Sequence, residues 1–320
     1  MFSSISLFAS ATVLLSTTIF ASPISSHYER DASASPVNWG STPSGGLTEV
    51  QKLNYVLLLE SAHSALYSQA VKNYSDYDFV NAGLRDLYTD AESIATLTAA
   101  NVKTIDSAIS SSGEAVPGAC TFNWGGVEGA FGWALFAEQF EALLVSTYKG
   151  LLPTLTSAPH ISFIQSLLSE STANSATLRT DTNLAPTANY APLTLGESGT
   201  LFRPFVAYCP ATNPAIDITT HPTISFSANA LSPLTVGKTI TLTPVDAEPT
   251  NDITGAVLNT VAVNGAPLDF AVKPDGKGGW TGRVPVGVQP GLNYVVLSSA
   301  MLGTGEAGLI AGPAIMEIAA

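Results

Sequence analysis

The spacing of apolar residues changes from a helical to a strand period near residue 215. Between residues 47 and 180 apolar residues recur every three or four positions, which is typical of amphipathic helices. Thr48-Glu49-Val50-Gln51 is a capping box that predicts the start of the first helix. The other helices are predicted from Asp76 or Asp78 to about Ser110, over 127–151 and over 158–179. Long helices with such short connections favour a four-helix bundle.

Residues 216–320 follow a different pattern. Short alternating or β-branched segments, such as KTITLTPVD and LNYVVLSSA, are bounded by Gly, Pro, Asn and Asp. Their spacing predicts a small, Ig-like β-sandwich of about seven strands. Residues 181–215 contain five prolines and are predicted to form an extended connector. The predicted fold class is α+β multidomain, with a helical bundle over 47–180 and an all-β sandwich over 216–320.

The N-terminus carries a targeting pattern. Residues 5–21 are uncharged and mostly apolar, are short for a membrane span of about 20 residues, and end in small residues. We therefore predict a signal peptide over 1–21 and a secreted protein of the extracellular space or cell wall. Residues 22–46 are polar and rich in Gly, Pro and Ser, and are interpreted as a propeptide or flexible leader.

Composition narrows the class of protein further. The 320 residues include 12 basic and 25 acidic ones, for a net charge of −13, and 46% are hydrophobic. This is not the composition of a disordered chain, and it lacks the basic surface that nucleic-acid binding requires. In an oxidising compartment Cys120 and Cys209 are expected to form one disulfide, the alternative being two separate buried thiols. Asn73-Tyr74-Ser75 is a sequon for N-glycosylation.

Candidate chemistry comes from glutamates on apolar helix faces. Each predicted helix carries one, namely Glu60, Glu92, Glu141 and Glu170. One inward glutamate from each of four helices is the plan of a dimetal carboxylate bundle, in which two helices also supply Glu-x-x-His. Glu138 is an alternative to Glu141 as the inward carboxylate of its helix. For each of these glutamates, the other interpretation is that it lies on a solvated helix face. Buried carboxylates need a metal ion, protons, a lysine or an arginine as compensation. The pattern places none of the nearby cations on an inner face: Lys52, Arg85, Lys103 and Lys149.

Several short segments of residues 47–320 occur in an order that is typical of a known family. They are Leu59-Glu60, Asp90-Ala91-Glu92, Ser146-Thr147-Tyr148-Lys149-Gly150, Leu178-Arg179, Cys120-Thr121-Phe122-Asn123, Cys209-Pro210-Ala211-Thr212-Asn213-Pro214 and Ala311-Gly312-Pro313-Ala314-Ile315-Met316-Glu317-Ile318. This order resembles that of the fungal secreted ferritin-like proteins related to stress-response and late-sexual-development proteins, and more distantly plant desiccation-related proteins. The resemblance implies a ferritin-like four-helix bundle followed by a β-sandwich, and an extracellular role in stress or development.

The sequence departs from the metal-binding relatives at two positions. Where they have the histidine of Glu-x-x-His, this chain has Ala95 and Ala173, and an alanine methyl cannot bind iron or manganese. The Glu-x-x-His of this chain ends at His63 in the first helix instead. The residual candidate metal ligands are therefore Glu60, His63, Glu92, Glu141 and Glu170.

These observations give one leading hypothesis and two alternatives. The leading hypothesis is a secreted, non-enzymatic protein with a degenerate dimetal-carboxylate site, no required cofactor and no assigned catalytic residue. The first alternative is an atypical iron or manganese carboxylate oxidase, in which His63 replaces a missing imidazole. The second is a carbohydrate-binding or adhesion protein whose partners are cell-wall components. Neither nucleic acid nor a membrane span is expected.

Overall fold

The computed structural model describes residues 46–125, 127–187, 190–216, 218–226, 233–245, 257–261, 268–298 and 309–319. The predicted signal peptide lies outside these residues, as does the predicted leader up to residue 45. No helix in the described part of the chain has the length and apolar character to cross a membrane.

The first part of the chain is helical. Its helices are α1 (Glu49–Asn73), α2 (Asp76–Asn81), α3 (Leu87–Ser111), α4 (Gly129–Leu151) and α5 (Ala158–Asp181). The four long helices confirm the predicted bundle, with α1 packed against α3 and α4 against α5. The predicted capping box starts α1, because the Thr48 hydroxyl accepts from the Gln51 amide at 3.2 Å and the Gln51 side chain accepts from the Thr48 amide at 2.8 Å.

The predicted second helix is interrupted. Instead of one helix from Asp76 or Asp78 to about Ser110, the chain forms the short α2 and then α3. The break is a Schellman motif at Gly83, whose φ of 83° suits glycine. The Gly83 amide donates to the Val80 carbonyl at 3.0 Å and the Leu84 amide to the Phe79 carbonyl at 2.9 Å. Gly83 is a helix stop signal in the sequence. The prediction gave more weight to the helical spacing of the apolar residues that follow it.

The extended conformation predicted for 181–215 holds only in part. This segment contains α6 (Leu195–Phe202), which starts with a capping box between Thr194 and Glu197. Before α6 the chain runs close against α4, where the Leu193 amide donates to the Ser146 carbonyl at 3.0 Å. A Cβ on Gly150 would lie 1.8 Å from the Leu193 carbonyl oxygen. Gly150 therefore does not end α4 but allows the following segment to pack on it.

A disulfide joins the segment between α3 and α4 to the segment after α6. Cys120 is bonded to Cys209, which confirms the predicted pair. Directly beside it β1 (Thr121–Phe122) pairs with β2 (Val206–Tyr208) in an antiparallel ladder. The Asn213 side chain adds two hydrogen bonds to Gly118, accepting from its amide at 2.7 Å and donating to its carbonyl at 2.8 Å. These contacts hold the segment before α4 to the segment after α6.

The C-terminal part is an antiparallel sheet. Its strands are β3 (Ile224–Phe226), β4 (Thr239–Pro244), β5 (Val257–Val261), β6 (Leu268–Pro274), β7 (Trp280–Arg283), β8 (Gly291–Ser298) and β9 (Leu309–Ile318). In the described residues the seven strands pair in the order β3-β4-β7-β6-β5-β8-β9. Phe226 of β3 and Met316 of β9, at opposite ends of this order, share one apolar core with Leu297 of β8. The sheet thus encloses its core, as a sandwich does, and the predicted fold class is confirmed.

The sheet is bonded to the bundle through a buried ion triad. Arg179 at the end of α5 donates to Glu138 of α4 at 2.6 Å and to Glu317 of β9 at 2.5 Å. Its Nε donates to the Ala185 carbonyl at 2.6 Å. Burial raises the pKa of Glu138 and Glu317 adds to this, while Arg179 lowers it, so that the pKa lies at about 7. One guanidinium thus ties two helices to the last strand.

A second set of contacts joins β8 to α4. The Tyr294 hydroxyl donates to the Ala142 carbonyl at 3.1 Å and to the Ser146 hydroxyl at 3.0 Å. The Leu292 amide donates to the Thr187 hydroxyl at 3.1 Å. Leu292 and Tyr294 also belong to the apolar core of the bundle. The two parts therefore share an interface that is both apolar and hydrogen-bonded.

Removal of the disulfide is expected to destabilise the protein. Its cysteines are separated by 89 positions, and a loop of this length corresponds to about 4.6 kcal/mol in the chain-entropy model. We expect the double variant Cys120→Ala/Cys209→Ala to lose about this free energy of unfolding in urea titrations. Wild-type protein in a reductant is the control and should fall to the same value. Equal stability of oxidised wild type and the double variant would contradict the prediction.

The ion triad predicts a pH dependence of stability. The pKa of Glu138 is raised from 4.5 to about 7 in the fold, so this carboxyl favours folding most below pH 4.5 and the benefit is lost as the pH rises through 7. Relative to Glu138→Gln, wild type should lose up to about 3 kcal/mol of unfolding free energy over this range. Urea titrations at both ends of the range measure it.

The control for this experiment is Glu114→Gln, which removes the same charge from an exposed loop. Its stability relative to wild type should not change across the range. A pH-independent difference between wild type and Glu138→Gln would show that the triad does not hold this proton.

Candidate metal centre

The four long helices direct a group of polar side chains toward one another, here called the polar cluster. Its members are Glu60, His63 and Tyr67 of α1, Asn101 of α3, Glu141 and Tyr148 of α4, and Glu170 and Asn174 of α5. Five of its six titratable members are at most 1% exposed, namely Glu60, His63, Tyr67, Glu141 and Tyr148. Glu170 and the two asparagines are half-buried.

Helical spacing explains why these residues meet. Glu60, His63 and Tyr67 follow one another by three and four positions on α1, so they lie on one face. Glu170 and Asn174 are four positions apart on α5, which again places them on one face. Bulky apolar residues fill the rest of the inner surface of α1, including Leu59 and Leu66. The polar cluster is therefore surrounded by an apolar core.

Glu141 is the most strongly bonded carboxylate of the polar cluster. Its Oε1 accepts from His63 Nε2 at 2.8 Å, from the Tyr67 hydroxyl at 2.7 Å and from Asn174 Nδ2 at 3.1 Å. Its Oε2 is buried and has no hydrogen-bond partner among the described residues. Three donors from two helices thus converge on one oxygen of the carboxylate.

Glu60 and Glu170 are joined by a single amide. Asn101 Nδ2 lies 3.4 Å from Glu60 Oε2 and 3.2 and 3.3 Å from the two oxygens of Glu170. The Tyr148 hydroxyl donates to the other oxygen of Glu60. Asn101 of α3 therefore links a carboxylate of α1 to one of α5, and such carboxylates are the groups that would hold a metal ion in a dimetal bundle.

His63 supplies the positive charge of the polar cluster. Its Nε2 is bonded to Glu141, and its Nδ1 lies 3.6 Å from Glu60 Oε1. Burial lowers the pKa of His63. The charges and hydrogen bonds of Glu141 and Glu60 raise it by a larger amount, so that the pKa lies at about 10. The ring is accordingly an imidazolium at neutral pH. An imidazolium has no free lone pair, so His63 would have to lose a proton before it could bind a metal ion.

The remaining members of the polar cluster also act as donors. Burial and the neighbouring carboxylates raise the pKa of Tyr67 and of Tyr148 well above the usual value, so both hydroxyls keep their protons. Burial raises the pKa of Glu170, whereas the hydrogen bond from Asn101 lowers it. Protein donors therefore occupy most of the carboxylate oxygens that a metal ion would need.

This arrangement does not fit a dimetal centre. Such a centre needs free carboxylate oxygens and neutral imidazoles from two helices, whereas here one imidazolium and two amides donate to the carboxylates. Within the part of the chain that the structure describes, no group of three or more His, Cys, Asp or Glu side chains has an arrangement that could hold a metal ion.

The structure gathers four of the predicted site residues and leaves one outside. Glu60, His63, Glu141 and Glu170 lie in the polar cluster, whereas Glu92 is exposed on α3 beside Tyr88. The α3 residue that faces the polar cluster is Asn101, nine positions after Glu92. Nine residues correspond to about 2.5 turns of helix, so the two side chains lie on opposite faces.

Four members of the polar cluster were not among the predicted site residues: Tyr67, Asn101, Tyr148 and Asn174. The two asparagines belong to no Glu-x-x-His spacing, so only a correct helical register points to them. Ala173, the position of a missing histidine in the predicted motif, is exposed, and Asn174 faces the polar cluster instead. The alternative carboxylate Glu138 is buried but pairs with Arg179. Asn73, the predicted glycosylation site, lies exposed at the end of α1.

Asn101 should be important for stability. In Asn101→Leu the facing oxygens of Glu60 and Glu170 lose their donor, which costs about 1–3 kcal/mol for a buried polar group. Urea titration of the full chain measures the loss. The control is Ala100→Leu, which adds the same side chain at the exposed neighbouring position on α3, and it should change stability by less than about 0.5 kcal/mol. Equal effects of the two variants would contradict the role of the amide.

Comparison with known proteins agrees with this geometry. Residues 48–183 match the family model described as Ferritin-like domain, and no curated protein matches the chain. The matched range begins at the N-cap of α1 and ends just after α5, so it spans the helices that form the polar cluster and excludes the sheet. Residues 48–183 of this chain therefore form a ferritin-like domain.

Proposed function

We propose that this chain is a secreted protein in which the ferritin-like domain is a non-enzymatic scaffold. The observation that carries the proposal is the Asn101 amide, which donates to both Glu60 and Glu170 and so compensates two carboxylates that would otherwise need a cation. Together with the His63 imidazolium, it meets the need for compensation that a metal pair meets in a dimetal bundle. The degenerate site then stabilises the bundle and performs no redox chemistry.

Other features support the extracellular part of the proposal. A disulfide is the expected state of two cysteines in an oxidising compartment. The net charge of −13 favours solubility, and the low content of charged residues, 12%, is compatible with contact with a polysaccharide wall. The resemblance to fungal secreted ferritin-like proteins adds a role in stress or development, exerted by binding.

A second candidate function rests on one specific observation. Four of the five predicted metal ligands, Glu60, His63, Glu141 and Glu170, come together between the helices as a dimetal oxidase requires. The atypical iron or manganese carboxylate oxidase therefore remains the competing proposal. It requires His63 to lose its proton and the two asparagines to turn their amide oxygens inward.

Metal analysis of the mature protein distinguishes the two proposals. Protein secreted from a fungal host without chelators should contain less than about 0.1 equivalent of iron or manganese. Added ferrous iron should neither raise its thermal stability, as a bound ligand must by mass action, nor be oxidised faster than in buffer. Mass spectrometry, thermal unfolding and ferrous oxidation are the three measurements.

Two variants make this experiment decisive. Glu60→Gln removes a carboxylate from the polar cluster, and Glu92→Gln removes one from the exposed face of the same bundle. Near-stoichiometric iron or manganese that is lost in Glu60→Gln but kept in Glu92→Gln would refute the scaffold proposal and support the oxidase. The same trace metal content in wild type and both variants supports the scaffold.

A further inference from the structure

A cavity of about 190 Å³ lies on the outer side of α1 and α3, beside the disulfide. Helix α1 contributes Asn54 and Ser61 to its wall, and α3 contributes Val102 and Asp106. The opposite wall is formed by the two segments that the disulfide joins, including Pro117 and Pro210. The cavity therefore has a rigid wall of helices, prolines and a disulfide, and it is separate from the polar cluster.

Two acceptors in this wall have no partner. Asn54 Oδ1 is buried and accepts no hydrogen bond from the described residues. The Asp106 carboxylate forms no ion pair or hydrogen bond within the described part of the chain, and burial alone raises its pKa because no cation lies near enough to lower it. A buried acceptor without a donor is unfavourable, and this applies to the Asn54 oxygen. Asp106 is only partly buried, and its charge would attract a cationic donor that enters the cavity and also reaches Asn54.

We propose that this cavity binds a small organic compound with a primary ammonium group. The ammonium has three donors and one positive charge, which complement the Asp106 carboxylate and the Asn54 carbonyl oxygen. The apolar part of the compound packs against Val102 and the prolines. The net charge of −13 favours the approach of cations over that of anions.

The volume limits the size of the ligand. A dry protein cavity of about 150 Å³ accepts benzene, so the 190 Å³ of this cavity suits a single ring or a short alkyl chain with one attached amine. A ligand of this size with one charged contact is expected to bind with a dissociation constant of about 1 mM or lower. The site therefore selects for small monoamines.

Calorimetric titration of the full chain tests this proposal. The probes are benzylammonium, butylammonium and cyclohexylammonium, with benzyl alcohol and benzoate as the neutral and anionic counterparts. At least one ammonium compound should bind with a dissociation constant of about 1 mM or lower, and the alcohol and the carboxylate should bind at least tenfold more weakly. If none of the three ammonium compounds binds, or if benzoate binds as tightly as benzylammonium, the proposal is wrong.

Three variants assign the binding to the cavity. Asp106→Asn should weaken the best ammonium ligand at least tenfold, because it removes the charge at nearly constant shape. Glu92→Gln removes the same charge from an exposed position on the same helix and should leave affinity unchanged. Ser61→Leu fills the cavity and should abolish binding while the circular dichroism stays that of wild type. Binding that survives both Asp106→Asn and Ser61→Leu would overturn the assignment.

Discussion

The structure depends on one constraint, which is that the charge of its buried carboxylates must be compensated. Glu60, Glu138 and Glu141 are at most 1% exposed between the helices, and Glu170 is half-buried. An ionised carboxylate without a partner costs several kcal/mol at such a site. Each must therefore be bonded to a cation, a proton or a set of donors, and the way this is done sets the contacts among α1, α3, α4, α5 and the sheet.

The structure meets this constraint in two ways. In the polar cluster the compensation is distributed, because the His63 imidazolium, the Asn101 amide and three other donors, from α1, α4 and α5, share three carboxylates. For Glu138 it is concentrated in Arg179, which also binds Glu317 of the last strand. The first solution holds the bundle together, and the second joins the bundle to the sheet. The sheet is thus bonded to the ferritin-like domain through the C-terminal turn of α5.

The sequence predicts the fold better than it predicts the site. The spacing of apolar residues and the turn residues locate the long helices and the sheet, and the residue types at 48–51 locate the capping box at Thr48. These features depend on local chemistry. The break at Gly83 and the packing of Leu193 on Gly150 depend on competition between local signals and on tertiary contact. Cys120 and Cys209 were paired correctly because the chain has two cysteines.

The candidate site depends on helical register, which a motif does not fix. The structure brings Glu60, Glu141 and Glu170 together, and each has a leucine three positions away on its helix, namely Leu57, Leu144 and Leu167. Glu92 has similar neighbours but lies on the outer face of α3, and Asn101 takes the inner position. Arg179 was overlooked as a compensating cation because its partners, Glu138 and Glu317, are 41 and 138 positions away. Long-range pairs of this kind become visible only when the helices and the last strand are assembled.

Compensation by side-chain donors has a physical consequence for a bundle of this kind. A metal ion is exchangeable and changes its oxidation state, whereas side-chain donors are covalently part of the helices and cannot leave. Under the proposed scaffold function, the polar cluster ties the stability of the bundle to its own fold and not to a supply of iron or manganese. Under the proposed binding of ammonium compounds, recognition takes place at the cavity beside Asp106, which shares no residue with the polar cluster.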